Sequence, residues 1–150
     1  MPVELRQGAR VRVLDLRARA DGDLAESLAA AATLVDQGVL EVLAATEPGA
    51  LMVALRAAAL IVTGTVQADG TWLVRAARRV LPVLEDLTEL EPPEPMERVL
   101  LALTTLGAGE VFHARLPRNP VPLRGLLEAR RVEYEIAMRP DGTALLWLTR

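Results

Sequence analysis

The chain contains no cysteine and no lysine, and has only one serine (Ser27), one asparagine (Asn119) and one histidine (His113). Without cysteine there can be no disulfide scaffold, thiolate metal site, iron–sulfur cluster or cysteine nucleophile. Without lysine, Schiff-base chemistry and the phosphate-loop lysine are also excluded. All 17 basic residues are arginine, a usage that fits a GC-rich genome. No apolar run approaches the roughly 18–20 residues of a membrane helix, and no basic-then-apolar leader opens the chain. The expected location is the cytoplasm.

What is present is an ordinary globular composition, 51% hydrophobic and 25% charged, with a formal net charge of −3. At 150 residues the chain forms one ordinary domain or two very small ones. A chain of this length buries roughly 70% of the surface it exposes when unfolded, so it needs no covalent or metal staple.

The two halves echo one another at an offset of 71 or 72 residues. Val13-Leu14-Asp15-Leu16 matches Leu84-Glu85-Asp86-Leu87. Gln37-Gly38 precedes one strand as Ala108-Gly109 precedes another. Glu47-Pro48 matches Asn119-Pro120, Leu51 and Leu55 match Leu123 and Leu127, and Asp69-Gly70-Thr71 matches Asp141-Gly142-Thr143. Such marks in one order at a nearly constant offset signal a tandem repeat. The division falls at residues 1–79 and 80–150.

Each half reads β-α-β-α-β-β. In the first, 10–17 is a strand, 23–36 a helix, 39–45 a strand and 48–58 a helix, with a hairpin at 59–67 and 71–77. In the second, 82–87 is a short strand and 94–106 a helix with Met96, Val99, Leu100, Leu103 and Leu106 at helical spacing. Segments 110–116, 132–139 and 143–149 alternate as strands do. Asn119 is suited to cap a helix with Pro120 at its first position, and Asp21 and Asp23 to start the first helix. Gly70 and Gly142 supply the positive φ of tight hairpin turns. The expected fold is an α/β (α+β) two-layer sandwich: two tandem repeats, each a four-stranded mixed sheet with two helices on one face.

The sheet face without helices should be polar if it meets water. In 143–149 both parities carry bulk, Ala144, Leu146 and Leu148 on one side and Leu145 and Trp147 on the other. The sister repeat or a second chain would cover that face; ordinary edge exposure is the alternative. Alternation along 110–116 puts His113 there too, as a solvated or interface residue. A lone histidine makes a poor metal site, and Ser27 has no triad around it.

Charge argues against nucleic acid as a partner. Residues 1–79 carry nine acidic and nine basic side chains, and residues 80–150 carry 11 acidic and eight basic. Phosphate-backbone affinity needs a cationic surplus that neither half has. Arg75, Arg78 and Arg79, like Arg130 and Arg131, read as strand-end and helix-end charges.

The segment Leu90-Glu91-Pro92-Pro93-Glu94-Pro95-Met96, preceded by Asp86-Leu87, resembles the signature of the TusA/SirA-like sulfur-carrier superfamily, in which a strand ending in Leu-Asp leads to a Cys-Pro-x-Pro motif opening the first helix. Gly109-Glu110 and Asn119-Pro120 resemble its later Gly-Glu and Asp-Pro marks. Pro92 stands at the cysteine position. The second half is most similar to an uncharacterised, cysteine-less bacterial branch of that superfamily. The first half, with Asp21-Gly22-Asp23-Leu24 at the motif, resembles a more divergent copy.

The resemblance implies a sulfane-sulfur carrier, whose persulfide sits on a thiolate activated at a helix N-terminus. Pro92 has no sulfur and no N–H, so persulfide relay on this chain is excluded. The helix start is crowded by Glu85, Asp86, Glu89, Glu91, Glu94 and Glu97, carboxylates that would repel an anion and attract a cation or a basic partner surface, or simply complement the helix dipole. The expectation is a non-enzymatic adaptor or regulator acting on a protein partner, or self-associating, through the non-helical sheet face. The alternative is a small-ligand or metal-binding accessory factor in sulfur or redox metabolism. The candidate binding residues are Asp86, Pro93, Glu94, Pro95, Arg98, His113, Arg118, Asn119 and Trp147. No catalytic residue, metal ligand or cofactor is assigned, and neither nucleic acid nor membrane is expected as a partner.

Overall fold

The computed structural model describes residues 10–18, 24–130 and 132–150. The chain divides into two compact units, Met1–Leu81 and Pro82–Arg150. The first contains β1 (Val11–Asp15), α1 (Leu24–Ala32), β2 (Val39–Ala44), α2 (Gly49–Ala57), β3 (Ile61–Val66) and β4 (Trp72–Ala77). The second contains β5 (Leu84–Asp86), α3 (Glu94–Thr105), β6 (Val111–Leu116), α4 (Val121–Ala129), β7 (Glu133–Met138) and β8 (Ala144–Thr149).

Both units carry a four-stranded mixed sheet with the same topology, β1-β2-β4-β3 and β5-β6-β8-β7. The first pair in each is parallel and the others antiparallel. The register repeats as well. Ala44 pairs with Trp72 and Leu116 with Ala144; Val66 pairs with Trp72 and Met138 with Ala144. Asp15 pairs with Leu43 and Asp86 with Arg115, an offset of 71 on the first strand and 72 on the second. The repeat seen in the residues is therefore a repeat of hydrogen-bond register.

One layer of each sandwich is a helix-on-sheet core. Leu40, Val42, Val74 and Ala76 face Leu51 and Leu55 of α2 in the first unit. In the second, Phe112, Ala114, Leu146 and Leu148 face Val99 and Leu103 of α3 and Leu123 and Leu127 of α4. The i, i+4 pairs Leu51/Leu55 and Leu123/Leu127 put a leucine stripe on one side of each short helix. A buried leucine contributes about 1.5–3 kcal/mol, so such a stripe outweighs the poor intrinsic stability of a nine-residue helix.

The face away from the helices is buried in both units. Val39, Glu41 and Ala77 in the first, and His113, Leu145 and Trp147 in the second, are at most 1% exposed. This fits the bulk that β2 and β8 carry at both parities, with Glu41 the one charged residue on β2: every residue of either strand is buried. His113 is thus not solvated; its Nδ1 lies 3.0 Å from the Leu146 carbonyl oxygen.

Matching devices recur at strand and helix ends. Asp15 Oδ1 accepts the Arg17 N–H, and Asp86 Oδ1 accepts the Thr88 N–H, each tightening the exit from the first strand. Arg78 donates to the carbonyls of Ala31, Ala32 and Leu34 at the end of α1, and Arg150, 72 residues on, donates to the Leu103 carbonyl near the end of α3. A guanidinium on the last carbonyls satisfies acceptors a helix leaves open and complements its dipole. Arg75 meets Glu41 and Arg79 meets Asp36, so the Arg75–Arg78–Arg79 cluster is directed at the chain's own acceptors.

The hairpin turns behave as their Asp-Gly pairs predict. Gly70 and Gly142 have φ of +86° and +88°. In each turn the aspartate accepts the N–H and hydroxyl of the threonine two residues on. A Cβ at either glycine would meet nothing within 4 Å, so a substitution there costs only backbone strain. Gly142→Ala should lower stability by roughly 1–2 kcal/mol, the left-handed penalty of an L-residue, as read by thermal denaturation.

Two local expectations are corrected. The first helix stops at Ala32, short of residue 36, because Thr33 and Leu34 turn to three-residue hydrogen bonds onto Ala30 and Ala31 and Gly38 then bonds back to Val35. Asn119 does not cap α4: Pro120 occupies the cap position without a side-chain hydrogen bond. The physical reason is that Pro122 has no N–H, while the Val121 and Leu123 N–H groups already go to the Asn119 and Pro120 carbonyls, leaving no amide for the Asn119 side chain to cap. The proposed cap at Asp21 and Asp23 lies outside the described residues.

Candidate functional site

In the second unit, β5 and β6 are adjacent and parallel, and each is followed by a helix. The starts of α3 and α4 therefore come together beyond the carboxyl ends of the two strands, the usual place for a ligand crevice in α/β folds. A groove of about 400 Å³ lies there. Six prolines wall it: Pro92, Pro93 and Pro95 from the α3 start, and Pro117, Pro120 and Pro122 from the α4 start. Met96, Val99, Leu116 and Leu123 complete the apolar lining, and among the described residues Arg118 and Asn119 are its polar side chains.

The proline content has an electrostatic consequence. Helix N-termini normally attract anions because their first N–H groups are unpaired. Here Pro93 and Pro120 hold the cap positions, and Pro95 and Pro122 stand in the first turns. Four of the amides around them are taken: Glu94 N–H donates to the Glu91 carbonyl, Glu97 to Pro93, Val121 to Asn119 and Leu123 to Pro120. These helix starts are thus poor in free donors.

The nine candidate residues fall into three places. Pro93, Pro95, Arg118 and Asn119 line the groove together. Asp86, Glu94 and Arg98 lie outside its lining. Arg98 forms a short ion pair with Glu85, and its guanidinium carbon is 5.6 Å from the Phe112 ring centroid. Glu94 is exposed as the first residue of α3. His113 and Trp147 are buried on the sheet face opposite the helices, in register with one another across β6 and β8. Met96, Leu116, Pro117 and Pro122 line the groove without having been singled out. The available signal was proline density: six of the chain's ten prolines fall between positions 92 and 122.

Asp86 belongs to an ion-pair clamp. Arg115 reaches Asp141 at 2.7 Å and Asp86 at 3.4 Å, tying the end of β5 to the β7–β8 turn. Partial burial pushes both carboxyls up, but hydrogen bonds from Thr88 to Asp86 and from Thr143 to Asp141, together with the Arg115 guanidinium, outweigh it and hold both below the usual aspartate range. Lowered folded-state pKa values mean that the contribution is present in full above the ordinary aspartate range and is lost as pH falls through the folded values. Asp141→Asn should therefore flatten the acid limb of the stability–pH profile below about pH 4. At neutral pH it should cost less than about 1 kcal/mol, because both carboxylates are half exposed.

Among the described residues no group of three or more histidine, aspartate or glutamate side chains is placed to hold a metal ion, and no helix is long and apolar enough to cross a membrane.

Residues 86–150 match the model of a family described as "Uncharacterized conserved protein (DUF2249)". The match begins at the last residue of β5 and takes in both walls of the groove. No curated protein and no solved structure matches the chain.

Proposed function

We propose that the chain is a non-enzymatic cytoplasmic binding protein of two TusA-like repeats, working as an adaptor or regulator through the groove of its second unit. The observation that carries this reading is the proline-walled groove. Pro92, which by resemblance stands at the cysteine position of the carriers, lines it, and the lining offers apolar surface and no nucleophile. The non-helical sheet face is the weaker choice for a partner, because Leu145 and Trp147 are buried there. Nucleic acid fits poorly, since the second half has a surplus of three acidic side chains.

The absence of cysteine makes a clean test. Asn119→Cys provides a unique thiol at the groove for a photo-crosslinker, and Val53→Cys, on an exposed position of α2, provides the control. In extract of the native host, a discrete adduct is expected from position 119 alone, and it should disappear when Met96→Trp fills the groove. The same adducts from both positions, or none from position 119, would refute the adaptor reading.

The second reading, a small-ligand accessory factor in sulfur or redox metabolism, is favoured by the groove's size. About 400 Å³ lies within the range of small-molecule sites, roughly 300–1,000 Å³.

A further inference from the structure

We propose that the groove takes a compact apolar monocarboxylate, a hydrocarbon or aromatic body ending in one carboxylate, with Arg118 anchoring the anion. This rests on the small-ligand reading of the groove.

The body of the ligand follows from the walls. Six prolines present ring methylenes and no N–H, and the Met96 and Leu116 side chains add only apolar contact. A polar group placed against such walls loses its water without gaining a donor, which costs several kcal/mol in an apolar setting (roughly 2–7). A hydrocarbon or aromatic surface has no such penalty and gains by leaving water.

The anionic end follows from Arg118. It is exposed, lines the groove, and has no ion-pair or hydrogen-bond partner among the described residues. Three other arginines of this unit are committed: Arg98 to Glu85, Arg115 to Asp86 and Asp141, and Arg150 to the Leu103 carbonyl. A guanidinium matches a carboxylate with two parallel hydrogen bonds, and the Asn119 side chain beside it can add a third donor.

The charge number follows from the surroundings. The helix starts contribute few free amides, so the anion has one cation to meet. Glu91, Glu94 and Glu97 are exposed at the start of α3. The one guanidinium matches the single charge of a carboxylate, whereas the second charge of a phosphate carrying roughly −1.5 to −2 would be left without a counter-ion beside these carboxylates.

The test is calorimetric titration of the full chain with decanoate, decanol and decyl phosphate. Decanoate should bind tightest, at one site per chain. Arg118→Ala should weaken decanoate about tenfold and leave decanol unchanged. Pro122→Glu places a carboxylate on the exposed rim in the first turn of α4, where acidic residues suit a helix; it should weaken decanoate more than decanol, because only decanoate meets charge repulsion. Met96→Trp should abolish both.

Decanol binding as tightly as decanoate, or decanoate binding indifferent to Arg118→Ala, would overturn the carboxylate anchor while leaving the groove a ligand site. Preference for decyl phosphate would overturn the single charge. Failure of all three probes to bind, or binding unaffected by both Met96→Trp and Pro122→Glu, would overturn the small-ligand reading itself.

Discussion

Leu127→Ala is expected to destabilise the second unit by about 3 kcal/mol, within the roughly 2–5 kcal/mol seen for leucine truncation in well-packed cores. Leu127 is fully buried and sits on the inner face of α4 against β6 and β8. Truncation removes the transfer free energy of the lost carbons and leaves a void that a nine-residue helix cannot close without shifting Leu123 as well. Leu55, its counterpart in α2, is equally buried, and Leu55→Ala should cost a similar amount. Each unit has its own reporter, Trp72 in β4 and Trp147 in β8. Urea denaturation followed by Trp147 fluorescence in a Trp72→Phe background measures the first variant, and the reciprocal background measures the second. A loss below about 1 kcal/mol at position 127 would contradict the packing described, because only an uncrowded site yields so small a value.

Removing Arg75 should be as costly for a different reason. Glu41 is completely buried on β2 and is the cross-strand neighbour of Arg75 on β4, with 3.7 Å between the guanidinium Nε and the carboxylate. Removing one partner of a buried pair takes away the nearest cross-strand counter-ion, typically at a cost of about 3–5 kcal/mol. Arg75→Leu should show a loss of that order at neutral pH. The pair itself is another matter, since desolvating two charges consumes most of their attraction. The double variant Arg75→Leu/Glu41→Leu should therefore recover most of the loss. A double-mutant cycle by chemical denaturation separates the two effects. If the double variant is no more stable than Arg75→Leu alone, Glu41 is held mainly by other partners.

The residues announced the architecture because its signals are local and repeated. Alternation in 110–116 and 132–139, leucines four apart at 51/55 and 123/127, and Asp-Gly at 69–70 and 141–142 each report backbone geometry within a few residues. The 72-residue offset worked because duplicated strands keep their register, and a shift by one residue would turn every side chain to the wrong face. Misreadings arose where a local preference met a competing neighbour. Asn119 is a good capping residue by type, but Pro122 has no amide to offer and the Val121 N–H goes to the Asn119 carbonyl instead of its side chain. Residues 33–36 are helix-compatible, but Thr33 and Leu34 turn the chain toward β2.

The candidate site was only half visible for the same reason. Pro93, Pro95, Arg118 and Asn119 were recognised, in two separate segments, from the resemblance and from their place at helix starts. That these segments form the two walls of one groove depends on β5 and β6 lying side by side and parallel, a pairing between distant residues that no periodicity encodes. Sequence alone settled the repeated sandwich, the hairpin glycines and the absence of cysteine chemistry, because composition and short-range spacing carry them. Tertiary structure alone decided that Arg78 and Arg150 close the ends of two helices and that six prolines line a common groove, whereas bulk at both parities of 143–149 had already pointed to a covered sheet face. Burial and through-space contact depend on what the fold brings together, which is a property of the packed chain and not of any one stretch of it.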